Sequence, residues 1–356
     1  MTRLDKLRIA MKEQGIDAVL VLDDLNRRYL SEFSCSSGML LITVTAAYLI
    51  TDFRYYEMAL NQASKQFEVL DLKGVDERHS FIEKAFLGCK TVGFEGDYMS
   101  YASYLSFKEK HPSFAFVNIG SMIENLRQIK TADELLSMQK AQDIADNAFS
   151  VLMKNLNPSQ MTEIDVAVEL EYLMRKNGAE GMSFDTIAVS GDASALPHGT
   201  PRNVKLKKGF LTMDFGAKVD GYCSDMTRTV VIGKPTEDIK RLYNTVLLAQ
   251  TSALEYLKAG CDCGEADKIA RDIINKDYDG TFGHSLGHAV GLLVHESPAL
   301  SPRGFGNKLV VGNVVTVEPG IYIFGKYGCR IEDMVAITEG GVYNFTHSTK
   351  EMLVFD

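Results

Sequence analysis

The sequence predicts two mixed domains, an N-terminal α/β domain over residues 1–124 and a C-terminal α+β domain over residues 125–356. Two patterns carry this. Strand-like and helix-like stretches alternate through roughly the first 120 residues, as in a compact α/β unit. Beyond Gly120 the order becomes helices, hairpins, helices, hairpins, which favours an antiparallel sheet. The length of 356 residues exceeds one average domain and suffices for two.

The elements follow in order. Leu4, Leu7, Ala10 and Met11 form a helical stripe over residues 3–14, stopped by Gly15. Asp17 to Leu22 reads as a buried strand, and Met39 to Thr43 and Tyr48 to Thr51 as two more. Phe53 to Ala63 returns to helix. Strands are expected at Phe67 to Leu70 and Thr91 to Phe94, with helices near 80–87 and 100–110. Thr131-Ala132-Asp133-Glu134 is a capping-box signature. It opens a long amphipathic helix through Leu135, Met138, Ala141, Ala145 and Leu152, ended by Asn157-Pro158. Thr162-Glu163-Ile164-Asp165 opens another, closed by Gly178. From Thr186 onward β-branched and Gly-rich stretches dominate, with helical intervals at 236–258 and near 265–276.

Composition narrows the function classes. Hydrophobic content of 46% and charged content of 24% are ordinary for a globular protein, and a net charge of −9 argues against a nucleic-acid or anionic-membrane surface. The N-terminus is amphipathic without an apolar signal core, and no apolar run approaches the roughly 20 residues of a spanning helix. The expectation is a cytoplasmic protein with no membrane partner. Six dispersed cysteines then read as reduced thiols, and Cys261-Asp262-Cys263 as an incidental pair in a loop.

The stretch from Met213 to Thr229 carries chemistry. With Asp220-Gly221 in a two-residue turn, paired positions sum to 441, so Asp214 faces Thr227 and Asp225 faces Gly216. Asp214 and Asp225 then share one sheet face as diagonal neighbours about 7–8 Å apart. Two such carboxylates repel unless a cation lies between them. Three histidines follow within thirteen positions, His284, His288 and His295, among glycines that permit close backbone approach. His288 and His295 differ in strand parity, so facing one cavity requires a bend or bulge, expected at Gly291. Glu318 and Glu332 flank a loop around Gly325 to Gly328. An odd-length loop would set them directly opposite, and that is the expectation. Pro319 should interrupt the ladder beside Glu318. Four carboxylates and one imidazole suit Mn²⁺, Co²⁺, Fe²⁺ or Zn²⁺. That is too much charge for one ion and reasonable for two, which about 3.5–4 Å apart can share a bridging hydroxide suited to amide hydrolysis.

MDFG at 213–216, SDMTRT at 224–229, GHSLGHAVGLLVHE at 283–296, VEPGIY at 317–322 and RIED at 330–333 together resemble the pita-bread metallopeptidases, the family of methionine aminopeptidase, aminopeptidase P and prolidase. The resemblance spans the whole C-terminal domain. The segment from Gly15 to Ala59 resembles the extra N-terminal domain of aminopeptidase P, prolidase and creatinase, which methionine aminopeptidases lack. The resemblance implies five metal ligands, Asp214, Asp225, His288, Glu318 and Glu332, holding two divalent ions, with Mn²⁺ favoured. Asp225 and Glu332 would bridge. Glu318 would also shuttle a proton, His295 would contact the substrate amide, and His198 would stand beside the leaving group. Arg330 would orient a ligand carboxylate, and His284 would support the site by hydrogen bonding. Arg54, in the N-terminal domain, reads as a surface or packing residue.

The implied activity is hydrolysis of the Xaa-Pro bond at the N-terminus of proline-containing peptides, by a homodimer. Many prolidases carry an arginine directly after the HExP segment. Here Ala299 follows His295-Glu296-Ser297-Pro298 and the nearest arginine is Arg303, which tilts the expectation toward an aminopeptidase P. The alternatives are a creatinase-like amidinohydrolase, which lacks the ligand set, and a non-catalytic pita-bread binding protein, which typically loses ligands and gains charged extensions.

Overall fold

The computed structural model describes all residues from Met1 to Asp356. The chain divides into two compact units, Met1–Arg127 and Gln128–Asp356.

In the first unit, the Thr2 side chain accepts from the Asp5 amide while the Asp5 carboxylate accepts from Thr2, a reciprocal cap that starts α1 (Arg3–Glu13). Gly15, at φ 68°, ends it. Then come β1 (Ala18–Val21), α2 (Asp24–Ser31), β2 (Gly38–Thr43), β3 (Ala47–Thr51), α3 (Phe53–Gln62), β4 (Glu68–Asp71), α4 (Val75–Ala85), β5 (Thr91–Phe94), α5 (Tyr101–Lys110), β6 (Ala115–Asn118) and α6 (Met122–Arg127). The six strands form one mixed sheet in the order β4-β3-β2-β1-β5-β6. α2 and β6 escape a periodicity reading for physical reasons. α2 buries Asn26, Arg27 and Ser31 beside Tyr29 and Leu30, so polar side chains interrupt the apolar stripe of its inner face. β6 is an edge strand with three exposed residues and no apolar alternation. Glu95 lies buried at the end of β5, where it accepts from the Leu22 and Asp23 amides and from the Asn26 side chain at 2.6–2.8 Å. Arg54 forks onto Asp52 at the exposed start of α3.

The second unit repeats helices then hairpins. Capping boxes at Thr131/Glu134 and Thr162/Asp165 start α7 (Ala132–Asn155) and α8 (Glu163–Lys176). β7 (Gly181–Met182), β8 (Ile187–Ser190), β9 (Gly209–Phe215), β10 (Ala217–Val219), β11 (Tyr222–Cys223) and β12 (Met226–Ile232) follow. Thr236 and Asp262 cap α9 (Glu237–Tyr256) and α10 (Cys263–Tyr278). The chain closes with β13 (Gly287–Ala289), β14 (Glu296–Leu300), β15 (Val314–Val317), β16 (Gly320–Ile323), β17 (Tyr327–Arg330), β18 (Asp333–Ile337), β19 (Val342–Asn344) and β20 (Val354–Phe355).

Two main sheets result, ordered β20-β12-β9-β8 and β14-β13-β15-β18-β19, antiparallel except where β12 meets β20. α7 and α8 cover the first through Ala145, Leu152, Leu170 and Met174, packed on Leu211, Met213 and Phe215. α9 and α10 cover the second through Leu242, Val246, Ala249 and Ala270, packed on Val315, Val317 and Val335. Burying each Leu, Val or Met is worth about 1.5–3 kcal/mol, so these layers fix the two sheets whose strand breaks carry the site. All six cysteines are free thiols, and no helix is long and apolar enough to cross a membrane.

Candidate metal centre

The hairpin register is the expected one. Thr227 pairs with Asp214, and Val219 pairs with Tyr222 across the turn. Asp220 and Gly221 take φ of 49° and 75°, both positive, as a tight primed turn requires. The ladder breaks between Phe215 and Ala217 on one strand and between Cys223 and Met226 on the other. Gly216 makes the break possible, because a Cβ there would lie 1.9 Å from the Ser224 carbonyl oxygen. Asp225 sits in the break and is 4% exposed.

The second half is built the same way. Ile323 pairs with Tyr327 across three residues, the odd loop expected. Gly320 pairs with Arg330, and Val317 with Asp333, in one continuous register. Glu318 and Glu332 therefore face each other in the gap between β15–β18 and β16–β17, where Pro319 stops the ladder. Their amides bond outside it, Glu318 to the Leu286 carbonyl and Glu332 to the Thr227 carbonyl. The histidine segment departs from expectation. The chain does not bend as one strand at Gly291. It reverses through residues 290–295 into a separate antiparallel strand, β14, and the register shift lies between His288 and Ala289. Reversal achieves what a bulge would have done, bringing the His288 and His295 rings to 4.2 Å between centroids.

One cavity of about 610 Å³ is lined by all nine residues singled out in the sequence, His198, Asp214, Asp225, His284, His288, His295, Glu318, Arg330 and Glu332. Ligand atoms of Asp225, His288 and Glu332 lie within 4.8 Å of one another. His288 Nδ1 donates to the Ala289 carbonyl at 3.2 Å, which leaves the Nε2 lone pair free. That Nε2 is 3.3 Å from Glu318 Oε1 and 3.6 Å from Asp225 Oδ2. Asp214 stands outside the tight trio. Its Oδ2 accepts from Arg330 at 2.6 Å, and its buried Oδ1 has no hydrogen-bond partner.

Electrostatics make this cluster costly on its own. Burial pushes the Asp225 and Glu332 carboxyls well above the usual range, and the neighbouring carboxylates push them further. Burial raises Glu318 to about 8 against the pull of Arg330, and raises Asp214 against Arg330 as well. Burial, with His295 beside it, lowers His288 to about 4, so its imidazole is neutral and available as a ligand. A divalent cation would offset the carboxylate repulsion and satisfy the orphaned Asp214 oxygen. The donor set, four carboxylates and one neutral imidazole, fits that class of ion.

Supporting hydrogen bonds hold these donors. Thr227 donates its hydroxyl to Glu332 Oε2 at 2.6 Å and accepts from Arg330 Nε at 3.0 Å. Arg330 also donates to the Tyr322 hydroxyl at 2.8 Å, and that hydroxyl lies 3.0 Å from His284 Nε2. His284 Nδ1 is 2.9 Å from the Ser285 carbonyl, so its proton sits there and Tyr322 donates to Nε2. Burial, then Arg330, lowers His284 to about 4, consistent with this neutral tautomer. Thr316 Oγ1 accepts the His288 amide and donates to Glu318 Oε1. This needs β13 close to β15, and Gly287 allows it, since a Cβ there would lie 2.0 Å from the Thr316 carbonyl oxygen. Thr227, Thr316 and Tyr322 are absent from the sequence-derived set. Thr227 was within reach, because the 441 register already sets it opposite Asp214. Thr316 and Tyr322 lie close in sequence to Glu318 and Arg330, but their contacts with the histidine segment, 28 and 38 residues away, follow from no local spacing.

Comparison with known proteins follows the same division. Residues 137–339 match the metallopeptidase family M24, and residues 3–129 match the creatinase/prolidase N-terminal domain. The chain is 40% identical over 354 residues to a Xaa-Pro dipeptidase of Pyrococcus furiosus, covering 99% of each. A solved Xaa-Pro dipeptidase from Bacillus anthracis aligns with a TM-score of 0.94 at 42% identity, covering 99% of both chains. An X-Pro aminopeptidase from Thermotoga maritima aligns with a TM-score of 0.91 at 37% identity, covering 97% of this chain and 99% of that one.

Proposed function

Because the chain belongs to metallopeptidase family M24, with a creatinase/prolidase N-terminal domain ahead of its pita-bread domain, we propose that it is a dinuclear metallo-exopeptidase that hydrolyses the N-terminal Xaa-Pro bond of peptides. The convergence of Asp225, His288 and Glu332 within 4.8 Å, on strands far apart in sequence, is the observation that carries this. Asp214, Asp225, His288, Glu318 and Glu332 would hold the ions, with Asp225 and Glu332 as the acids that the family resemblance implies would be shared between them. Mn²⁺ is the preferred ion, with Co²⁺, Zn²⁺ or Fe²⁺ as substitutes, because the donors are chiefly oxygen. Bound there, the ions supply an acidified water and a polarised scissile carbonyl.

The chain's own residues supply the rest. Arg330 fixes the rotamer of Asp214, and Thr227 fixes that of Glu332. His295, exposed beside His288, donates to the substrate amide oxygen as charge develops on it. Glu318 accepts the proton of the attacking water and passes it toward the proline nitrogen. His198, exposed in the turn after the short 3₁₀ segment Gly191–Ala195, stands beside that leaving group. Peptides longer than two residues are the favoured substrates. Ala299 occupies the cavity wall, and the only guanidinium or ammonium there belongs to Arg330, which Asp214, Thr227 and Tyr322 already engage. A dipeptide's terminal carboxylate finds no free counter-ion. The family resemblance favours a homodimer.

The test is release of alanine from Ala-Pro-Ala and Ala-Pro by purified protein loaded with Mn²⁺ or Co²⁺. Cleavage of both, faster for the tripeptide, is expected. Absence of cleavage of any Xaa-Pro peptide would overturn the assignment.

A further inference from the structure

The cavity wall also holds a charged group with no work in the chemistry above. Phe184, Asp185 and Thr186 line it ahead of β8, and Ile187 at the start of β8 pairs with the proposed ligand Asp214. Asp185 is exposed and makes no hydrogen bond or ion pair. It differs in this from the wall's other carboxylates, which belong to the proposed ligand set. Beside it, the Thr186 hydroxyl is buried without a partner. Phe184, before it, is half-buried. A free carboxylate, an aromatic ring and an unpaired hydroxyl, in a wall without a free cation, have the chemistry that receives an ammonium or guanidinium group.

We propose that Asp185 is a specificity-determining residue that binds a cationic group of the substrate, either the side chain of a basic Xaa or the peptide's own α-ammonium. This rests on the Xaa-Pro reading of the site and names the class of peptide it prefers. Neither source requires Asp185 to touch the scissile bond.

The experiment compares Lys-Pro-Ala and Glu-Pro-Ala with norleucyl-Pro-Ala, which keeps the alkyl chain and lacks the charge, in the full-length metal-loaded protein and in D185N, D185E and D185K. Initial rates and calorimetric binding of the same peptides are both recorded. An exposed ion pair should favour the lysyl peptide by about two- to fivefold, carried in KM. D185N brings the ratio toward one, and D185K inverts it in favour of Glu-Pro-Ala. If the α-ammonium is the partner, D185N instead raises KM about equally for every peptide, and D185E restores part of the loss. Equal KM and binding constants for all peptides in the wild type, D185N and D185K would overturn the proposal. Binding that shifts with charge at position 185 in a protein that cleaves nothing would uphold Asp185 and overturn the peptidase reading instead.

Discussion

Both units bury acidic side chains, and they treat them in opposite ways. In the N-terminal unit Glu95 is buried, yet two backbone amides and the Asn26 side chain donate to it, so its oxygens are satisfied by protein alone. In the C-terminal unit Asp225 and Glu332 are as deeply buried, but the strongest charge effects on them come from other carboxylates. Burial raises the carboxyl pKa in both places. Only in the second is the repulsion left for something outside the chain to resolve. A buried acid with donors is architecture, whereas a buried set of acids without enough donors is a receptor for a cation.

The largest effect should come from removing an acid proposed to bridge the two ions. Asp225→Ala or Glu332→Ala should abolish turnover and strip bound metal. Losing a supporting residue at a metal site typically costs about 10–100-fold, and a ligand should exceed that. Elemental analysis alongside the assay checks it, and retained metal with retained rate would erase the distinction between the two pockets. Next in size is Thr227→Val, which deletes the donor to Glu332 while leaving every ligand in place. Metal affinity should fall about 10–100-fold, read by competition with a chelating dye. Glu95→Ala should do the reverse. It leaves the Leu22 and Asp23 amides buried without their acceptor, destabilising the first unit by about 1–3 kcal/mol in denaturant unfolding, with metal content unchanged.

Glu163 separates donor supply from location. It lies in the same unit as the site and is fully buried, but Arg202 forks onto it and the Ser190 amide and hydroxyl donate to it. Burial would raise its carboxyl, yet these partners hold it below the ordinary value of 4.5. A depressed folded pKa stabilises the protein above the unfolded value, and that contribution is lost as pH falls through the folded one. The wild type should therefore lose its stability advantage over Glu163→Gln as pH drops below about 4.5, a small effect visible in melting temperatures. An advantage that grows with acid would reverse the sign.

Much of the site was legible in the sequence because strand pairing turns spacing into geometry. One turn at Asp220-Gly221 sets Asp214 opposite Thr227, and one odd loop sets Glu318 opposite Glu332. The histidine segment was less legible. Parity alone called for a bend, whereas the chain reverses direction there and starts a new strand. Spacing alone does not show the hydrogen bonds that join the two halves; only the family resemblance pointed to Arg330 orienting a ligand carboxylate. Thr227 of β12 reaches Glu332, and Arg330 of β17 reaches Asp214, across separations of more than a hundred residues. In the first unit, α2 went unread because buried Asn26, Arg27 and Ser31 interrupt its apolar stripe of Tyr29 and Leu30.

On the proposed function, four crowded carboxylates and His288 form a receptor for two divalent cations. Titration calorimetry of chelator-treated protein with Mn²⁺ tests it most directly. The prediction is two ions per chain in the wild type and loss of binding in Glu332→Ala. No binding in the wild type, or the same two ions per chain in Glu332→Ala, would contradict it.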